Sequence, residues 1–322
     1  MGSQRDITFI DHASGFVGEL DGEGILGARL DESCAVFSER IGARRPRIGV
    51  ILGSGLGPLA ERIENAVYIP FGEVPHMKRS TASSHVGRFV CGELAGAPVI
   101  AMQGRLHGYE GNSAHEVAYP VWLMHRLGVE ILITTNAAGA INEAYQVGDF
   151  CIMQDHINLT GRNPLVGIDP DRIAPRFVSM MDAYDPALRD LARRVAAERG
   201  IRVQEGVSLG LLGPSFETPA EIKAFRALGA DTVAMSVVEE VIAARHVGMR
   251  VLGISLVSNM ACGIDGASPD DAEVVDVGLS RQEDFCSLVE GILAPLGRRF
   301  AVKRNGSSFN DLLEEIKRDQ II

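Results

Sequence analysis

"GVILGSGLGPLAERI", residues 49–63, sets an apolar strand directly before three alternating glycines, Gly53, Gly55 and Gly57, and then a helix-like run. A strand–turn–helix of this kind is the seed of an α/β fold, and it raises the question of which phosphate, if any, the turn holds. The dinucleotide fingerprint G-x-G-x-x-G needs glycine at 58, where this chain has Pro58. The Walker pattern fails too, because no Gly-Lys-Ser/Thr follows. What remains is a turn of small residues whose backbone N–H groups can approach an anion, with the hydroxyl of Ser54 inside it. A plain tight turn reads the same way in isolation, so the decision rests on what else in the chain can share that anion.

Outward from this turn, apolar runs of strand length recur at "RIGVILG", "PVIAMQG", "EILITTNAAG", "DFCIMQDHINL", "DTVAMS" and "RVLGISLVSN", separated by stretches of helical period. The clearest helix is "SAHEVAYPVWLMHRLG", with Ser113 as N-cap, Glu116 closing a capping box and Gly128 as the stop. "PALRDLARRVAAERG", "TPAEIKAFRALG" and "EEVIAARHVG" also end on glycine. This alternation predicts an α/β fold. With no repeat, linker or change of composition, it also predicts one domain over 1–302 and a separate short helix in the tail 303–322.

The 322 residues are 46% hydrophobic and 23% charged, enough to bury a large core. No apolar run approaches the roughly 20 residues of a membrane span. The start "MGSQRDITF" carries neither an apolar signal core nor a myristoylation pattern, so the expected location is the cytoplasm. Five scattered cysteines without a C-x-x-C argue against a disulfide framework or a zinc site. His107, Glu110 and His115 likewise fit no common zinc spacing. A net charge of −11, from 42 acidic and 31 basic residues, opposes nucleic-acid binding and leaves any phosphate to a few local donors.

In open α/β sheets ligands bind at the carboxyl ends of the strands, and those ends are polar here. "RLHGYEG" puts Arg105 and His107 on one turn with Tyr109 and Glu110. The guanidinium is a fork of donors suited to a tetrahedral oxyanion, and a histidine adds a donor or a proton. "TTNAAGA" ends a strand in small residues that leave backbone amides accessible, and "MSVVEEVIAARH" sets Ser236 before a helix. Four strand ends offering one anion donor each are hard to explain by capping alone. "GLLGPSFETPAEI" adds Phe216 beside Glu217, and "GISLVSNMACG" adds Asn259, groups suited to stacking on a planar base and bonding to its edge.

Taken together, "GSGLG", "HVGRF", "QGRLHGYEG", "TNAAGAIN", "DHINLTGRNPL", "GPSFETPAEI", "MSVVEEVIAARH" and "GISLVSN" resemble, in order and approximate spacing, the trimeric purine nucleoside phosphorylases from about Gly49 to Gly278. The resemblance implies a single α/β domain with a mixed central sheet and distorted barrel flanked by helices, assembled as a homotrimer. It also implies phosphorolysis of 6-oxopurine (deoxy)ribonucleosides, with inorganic phosphate as co-substrate and no metal or organic cofactor. The phosphate site it implies comprises Ser54, Arg105, His107, the Ala137 amide and Ser236, with His85 of "SSHVGRF" at the rim. Tyr109 and Met235 would lie against the ribose, and Phe216, Glu217 and Asn259 would hold the base. Phe177 of "PRFVSMMDAY" would close a neighbouring subunit's sugar pocket. His107, Glu217 and Asn259 would carry the catalysis.

The chain also departs from that pattern. Val237 and Glu239 replace a Thr and a Pro in Met-Ser-Thr-Val-Pro-Glu, Asp271 stands where many members have a His facing the ribose 5′-hydroxyl, and Ser208 where some have a pocket Tyr. Other readings are a methylthioadenosine phosphorylase, a non-catalytic nucleoside or phosphate binder, and a dinucleotide oxidoreductase. The first is disfavoured by Glu217 with Asn259, and the last by the missing third glycine.

Overall fold

The computed structural model of the chain describes residues 8–11, 16–19, 24–167 and 169–302. Strands β1 (Thr8–Asp11) and β2 (Phe16–Glu19) pair antiparallel. Helix α1 (Gly24–Ile41) precedes β3 (Ile48–Leu52), β4 (Glu64–Pro70), β5 (Arg88–Leu94) and β6 (Ala97–Gln103). Helix α2 (Ala114–Arg126) then leads to β7 (Ile131–Ala140) and β8 (Phe150–Asn158), and α3 (Pro186–Glu198) to β9 (Val203–Gly210). The chain continues through α4 (Pro219–Ala227), β10 (Thr232–Ala234), α5 (Val238–His246), β11 (Arg250–Met260), α6 (Asp271–Ser280) and α7 (Gln282–Val302). The tail 303–322 lies outside the described residues.

Nine strands form one mixed sheet in the order β10-β9-β8-β11-β7-β3-β6-β5-β4. An antiparallel pairing of β10 with β7, Thr232 opposite Ala140, closes the first five into a barrel. The remaining strands extend from β7 as a wing. Strand β3 shows how residues specify this layering. Ile48, Val50 and Leu52 alternate onto the face covered by α3 and α7, while Ile51 joins the opposite core with α1 and α2. Both faces are covered, which explains the nearly continuous apolar runs of these strands.

The local signals for helices are realised. Ser113 accepts from the Glu116 amide at the start of α2, and Glu116 bonds back to the Ser113 N–H. Thr218 and Glu221 do the same for α4, and Asp185 caps α3 through the amides of Ala187 and Leu188. Two local details differ from expectation. The run after the glycine turn is a single 3-10 helix, Gly57–Arg62, and the helix after Ser236 begins two residues on, with Val237 as its N-cap. Val237 has φ +80°, an uncommon conformation for a β-branched residue. β9 is barely legible in sequence because Gln204, Glu205 and Gly206 interrupt its apolar alternation.

One contact ties the opening turn to the far end of the chain. Gly55, at φ +74°, packs directly on Gly278 of α6, so that a Cβ added at Gly278 would lie 2.5 Å from the Gly55 Cα. The obstacle is backbone on both sides and cannot rotate away. Gly278→Ala is therefore expected to push the Ser54 turn off α6 and to cost about 1–3 kcal/mol, the usual range for overpacking. A urea midpoint equal to that of the wild type would contradict this packing.

Candidate active site

Strand β7 is flanked along one edge by β11 over its whole length. On the other edge β3 pairs with it only as far as Thr134, and β10 takes over only at Gly139. Residues 135–138 thus have no partner strand on that side, and buried backbone groups there need other partners. A cavity opens at this gap, lined by Asn136, Ala137, Ala138 and Gly139 from β7 itself. The turns after β3, β6 and β10 supply further parts of its wall, so Ser54, Arg105, His107, Ala137 and Ser236 all line one cavity. The Ser54 hydroxyl lies 3.2 Å from that of Ser84.

Arg105 is 1% exposed and fills part of the gap. Its guanidinium donates from Nε and one terminal nitrogen to both oxygens of Glu240, at 2.9 and 2.8 Å. It also donates to the Thr134 hydroxyl at 2.9 Å and to the Thr135 carbonyl. Thr134 in turn donates to Glu240 at 2.6 Å. The arginine expected as an open fork for an anion is therefore held largely by protein.

His107 sits in a stack of rings, 5.2 Å from His85 on one side and 4.5 Å from Tyr109 on the other. Glu110 accepts from the His107 backbone N–H at 2.8 Å and lies 3.2 Å from its Nδ1. Its other oxygen accepts from Thr81 and Ser80. These donors outweigh burial and hold the Glu110 carboxyl down at about 2. His85 does not line the cavity. It is fixed through Nδ1 beside the Arg105 backbone, and its Nε2 is buried without a hydrogen bond.

The cavity is also lined by Tyr109, Met235, Phe216, Glu217 and Asn259. Asn259 is oriented by two bonds: its Oδ1 accepts from Ser258 at 2.8 Å and its Nδ2 donates to the Met260 carbonyl at 3.0 Å. One Nδ2 proton is left over from these bonds. Glu217 is nearly buried, and burial raises its pKa. Phe177 is 91% exposed and lines a different cavity, beside His156, Val166 and Ile242. Asp271 opens α6, whose Val274 lines the site; the Asp271 side chain lies outside what the structure describes. Ser208 is buried in β9 and does not line the cavity.

Sequence reasoning missed Asn136, Ser258, Val274 and Glu240. A signal for Glu240 was present in "VVEEVIAA", since acidic residues enclosed by Val, Ile and Ala imply burial and hence a cationic partner. Among the described residues no group of three or more His, Cys, Asp or Glu is arranged to hold a metal ion.

A family model for the phosphorylase superfamily matches residues 47–294. Purine nucleoside phosphorylase 1 of Geobacillus stearothermophilus is 47% identical over 267 residues, covering 83% of this chain and 97% of the relative. The mouse purine nucleoside phosphorylase is 46% identical over 263 residues, 78% of this chain and 91% of its own. The structure of Schistosoma mansoni purine nucleoside phosphorylase in complex with inosine superposes with a TM-score of 0.79 at 36% identity, covering 85% of this chain and 98% of that one. The chain thus belongs to the phosphorylase superfamily and, within it, to the purine nucleoside phosphorylases.

Burial lowers the pKa of His107 and takes that of His85 from 6.5 to about 4. For His85, between those values the unfolded chain binds a proton at the ring that the folded chain refuses. This source of stability is therefore complete above pH 6.5 and is lost as pH falls toward 4. The thermal midpoint should decline across that window, and His85→Gln should flatten part of the decline. Parallel curves for the two proteins would show that His85 is not held neutral.

Proposed function

We infer that this chain cleaves 6-oxopurine ribonucleosides and 2′-deoxyribonucleosides, inosine and guanosine among them, with orthophosphate, giving the free base and the sugar 1-phosphate in purine salvage. The observation that carries this reading is the convergence, on one cavity, of anion donors from Ser54, Arg105, His107 and Ser236 with the base-edge groups Glu217 and Asn259.

Breaking the N9–C1′ bond puts positive charge on the sugar and negative charge on the departing purine, as in other oxocarbenium-like glycosidic transition states. Phosphate held under C1′ by Ser54, Arg105, His107, Ser236 and the Ala137 amide stabilises the sugar cation and then captures it. The spare Nδ2 proton of Asn259 is donated to N7, where the leaving base gathers charge. Glu217 accepts from N1–H and from the 2-amino group of guanine. Phe216 stacks on the base, while Tyr109 and Met235 pack against the ribose. His85 backs the phosphate side through the ring stack with His107. Phosphate is the co-substrate, and none of these steps needs a metal or organic cofactor.

The exposure of Phe177, which shares a surface cavity with the exposed Val166, supports a homotrimer in which Phe177 closes the sugar pocket of the next subunit. All five cysteines are free, in keeping with a reducing compartment such as the cytoplasm.

Incubation with inosine should release hypoxanthine only when phosphate is present, and release that ignores phosphate would defeat the reading. Asn259→Asp replaces the N7 donor with an acceptor and should cost about 2–4 kcal/mol of transition-state stabilisation, roughly 30- to 1,000-fold in kcat/KM on inosine. Turnover close to that of the wild type would remove Asn259 from the base site.

A further inference from the structure

Of the five N–H bonds of Arg105, four are committed to Glu240, Thr134 and Thr135. Glu240 is itself 2% exposed and is chelated by Arg105 and the Thr134 hydroxyl. The next carboxylates also have partners: Glu110 accepts from Ser80, Thr81 and the His107 backbone N–H, and Glu239 faces Arg162 at 3.6 Å. The wall of the anion site therefore contains a cation whose charge is already cancelled by a carboxylate on the side away from its remaining N–H.

We propose that Glu240 is a positioning residue that acts as a fixed counter-charge to Arg105, so that the anion site binds phosphate through oriented hydrogen bonds rather than through net positive charge. Substrate anion and Glu240 compete for the same guanidinium. The bidentate bond fixes the plane of the fork and leaves a single proton for the ligand, while the carboxylate limits how tightly any anion is held. A site built this way can release a sugar phosphate as well as bind phosphate, because neither ion is the sole partner of a buried charge.

The proposal rests on the phosphorylase reading, yet its test does not need turnover. Phosphate and sulfate affinities are measured by titration calorimetry for the wild type, Glu240→Gln and Glu240→Asp, and inosine and phosphate KM values are measured alongside. Glu240→Gln keeps the shape and removes the charge, leaving a buried guanidinium that an anion can neutralise. Phosphate and sulfate should each bind about tenfold more tightly, with the inosine KM within twofold. Structural damage would have the opposite sign, since a disordered Arg105 weakens anion binding. Glu240→Asp keeps the charge and should stay within threefold of the wild type. Unchanged or weakened anion binding in Glu240→Gln overturns the proposal. If that variant does not accumulate as folded protein, Glu240→Asp decides: a tenfold change there means that geometry, and not charge, is what Glu240 supplies. Absence of phosphorolysis by the wild type would count against the phosphorylase reading alone.

Discussion

Strand β7 has to serve two partners on a single edge. It leaves β3 after Thr134 and meets β10 at Gly139, and this transfer is what turns a sheet into a barrel with a wing. The interval between the two pairings would leave peptide groups unsatisfied in a buried setting. The structure meets this with side chains brought from elsewhere. Arg105 bonds the Thr135 carbonyl, and the Thr135 hydroxyl bridges the Ile51 carbonyl and the Gly53 amide. Gly53 can approach so closely only because it lacks a Cβ, which would lie 2.8 Å from the Thr135 carbonyl oxygen. The small residues of "TNAAGA" complete the arrangement, since larger ones would fill the gap that becomes the site.

An arginine used in this way brings a charge into the interior, and a charge there requires a partner. Breaking such a pair by removing one member typically costs about 3–5 kcal/mol. Glu240 reaches Arg105 because only three residues separate α5 from β10, the strand that closes the barrel. Closure, charge pairing and cavity formation are thus parts of one arrangement. The turn that carries Ser54 is pinned to it from outside through Gly55 and Gly278, which draws α6 and its Val274 onto the site. The Asn259 end of the cavity is more independent, with that amide set by its neighbours Ser258 and Met260 at the end of β11.

The α/β class, the six strands named from apolar runs and the capped helices were legible because period, length and capping are local properties. So were most residues that line the site, since strand ends rich in Gly, Ser, Asn and Arg are where an open sheet offers polar groups. β9 was not legible: Glu205 and Gly206 break its pattern, and they are tolerated because the Glu205 side chain bonds Arg189 and Gly206 lets Tyr145 and Asp231 pack close. Ser236 read as an anion donor at the start of a helix; the strained Val237 sets that start two residues on and leaves Ser236 on the cavity wall.

By itself the sequence determined which residue types stand at the strand ends, and the motif order tied them to the family to which the chain belongs. The tertiary structure alone decided how those residues are used. Arg105 and Glu240 lie 135 positions apart, and no local rule links them. Only the crossing of β6, β7 and α5 brings the two charges within bonding distance, and that contact converts an open cation into a neutralised one. The reason is physical: hydrophobic period and capping are settled within a few residues, whereas the energy of a charge depends on everything that surrounds it once water is gone.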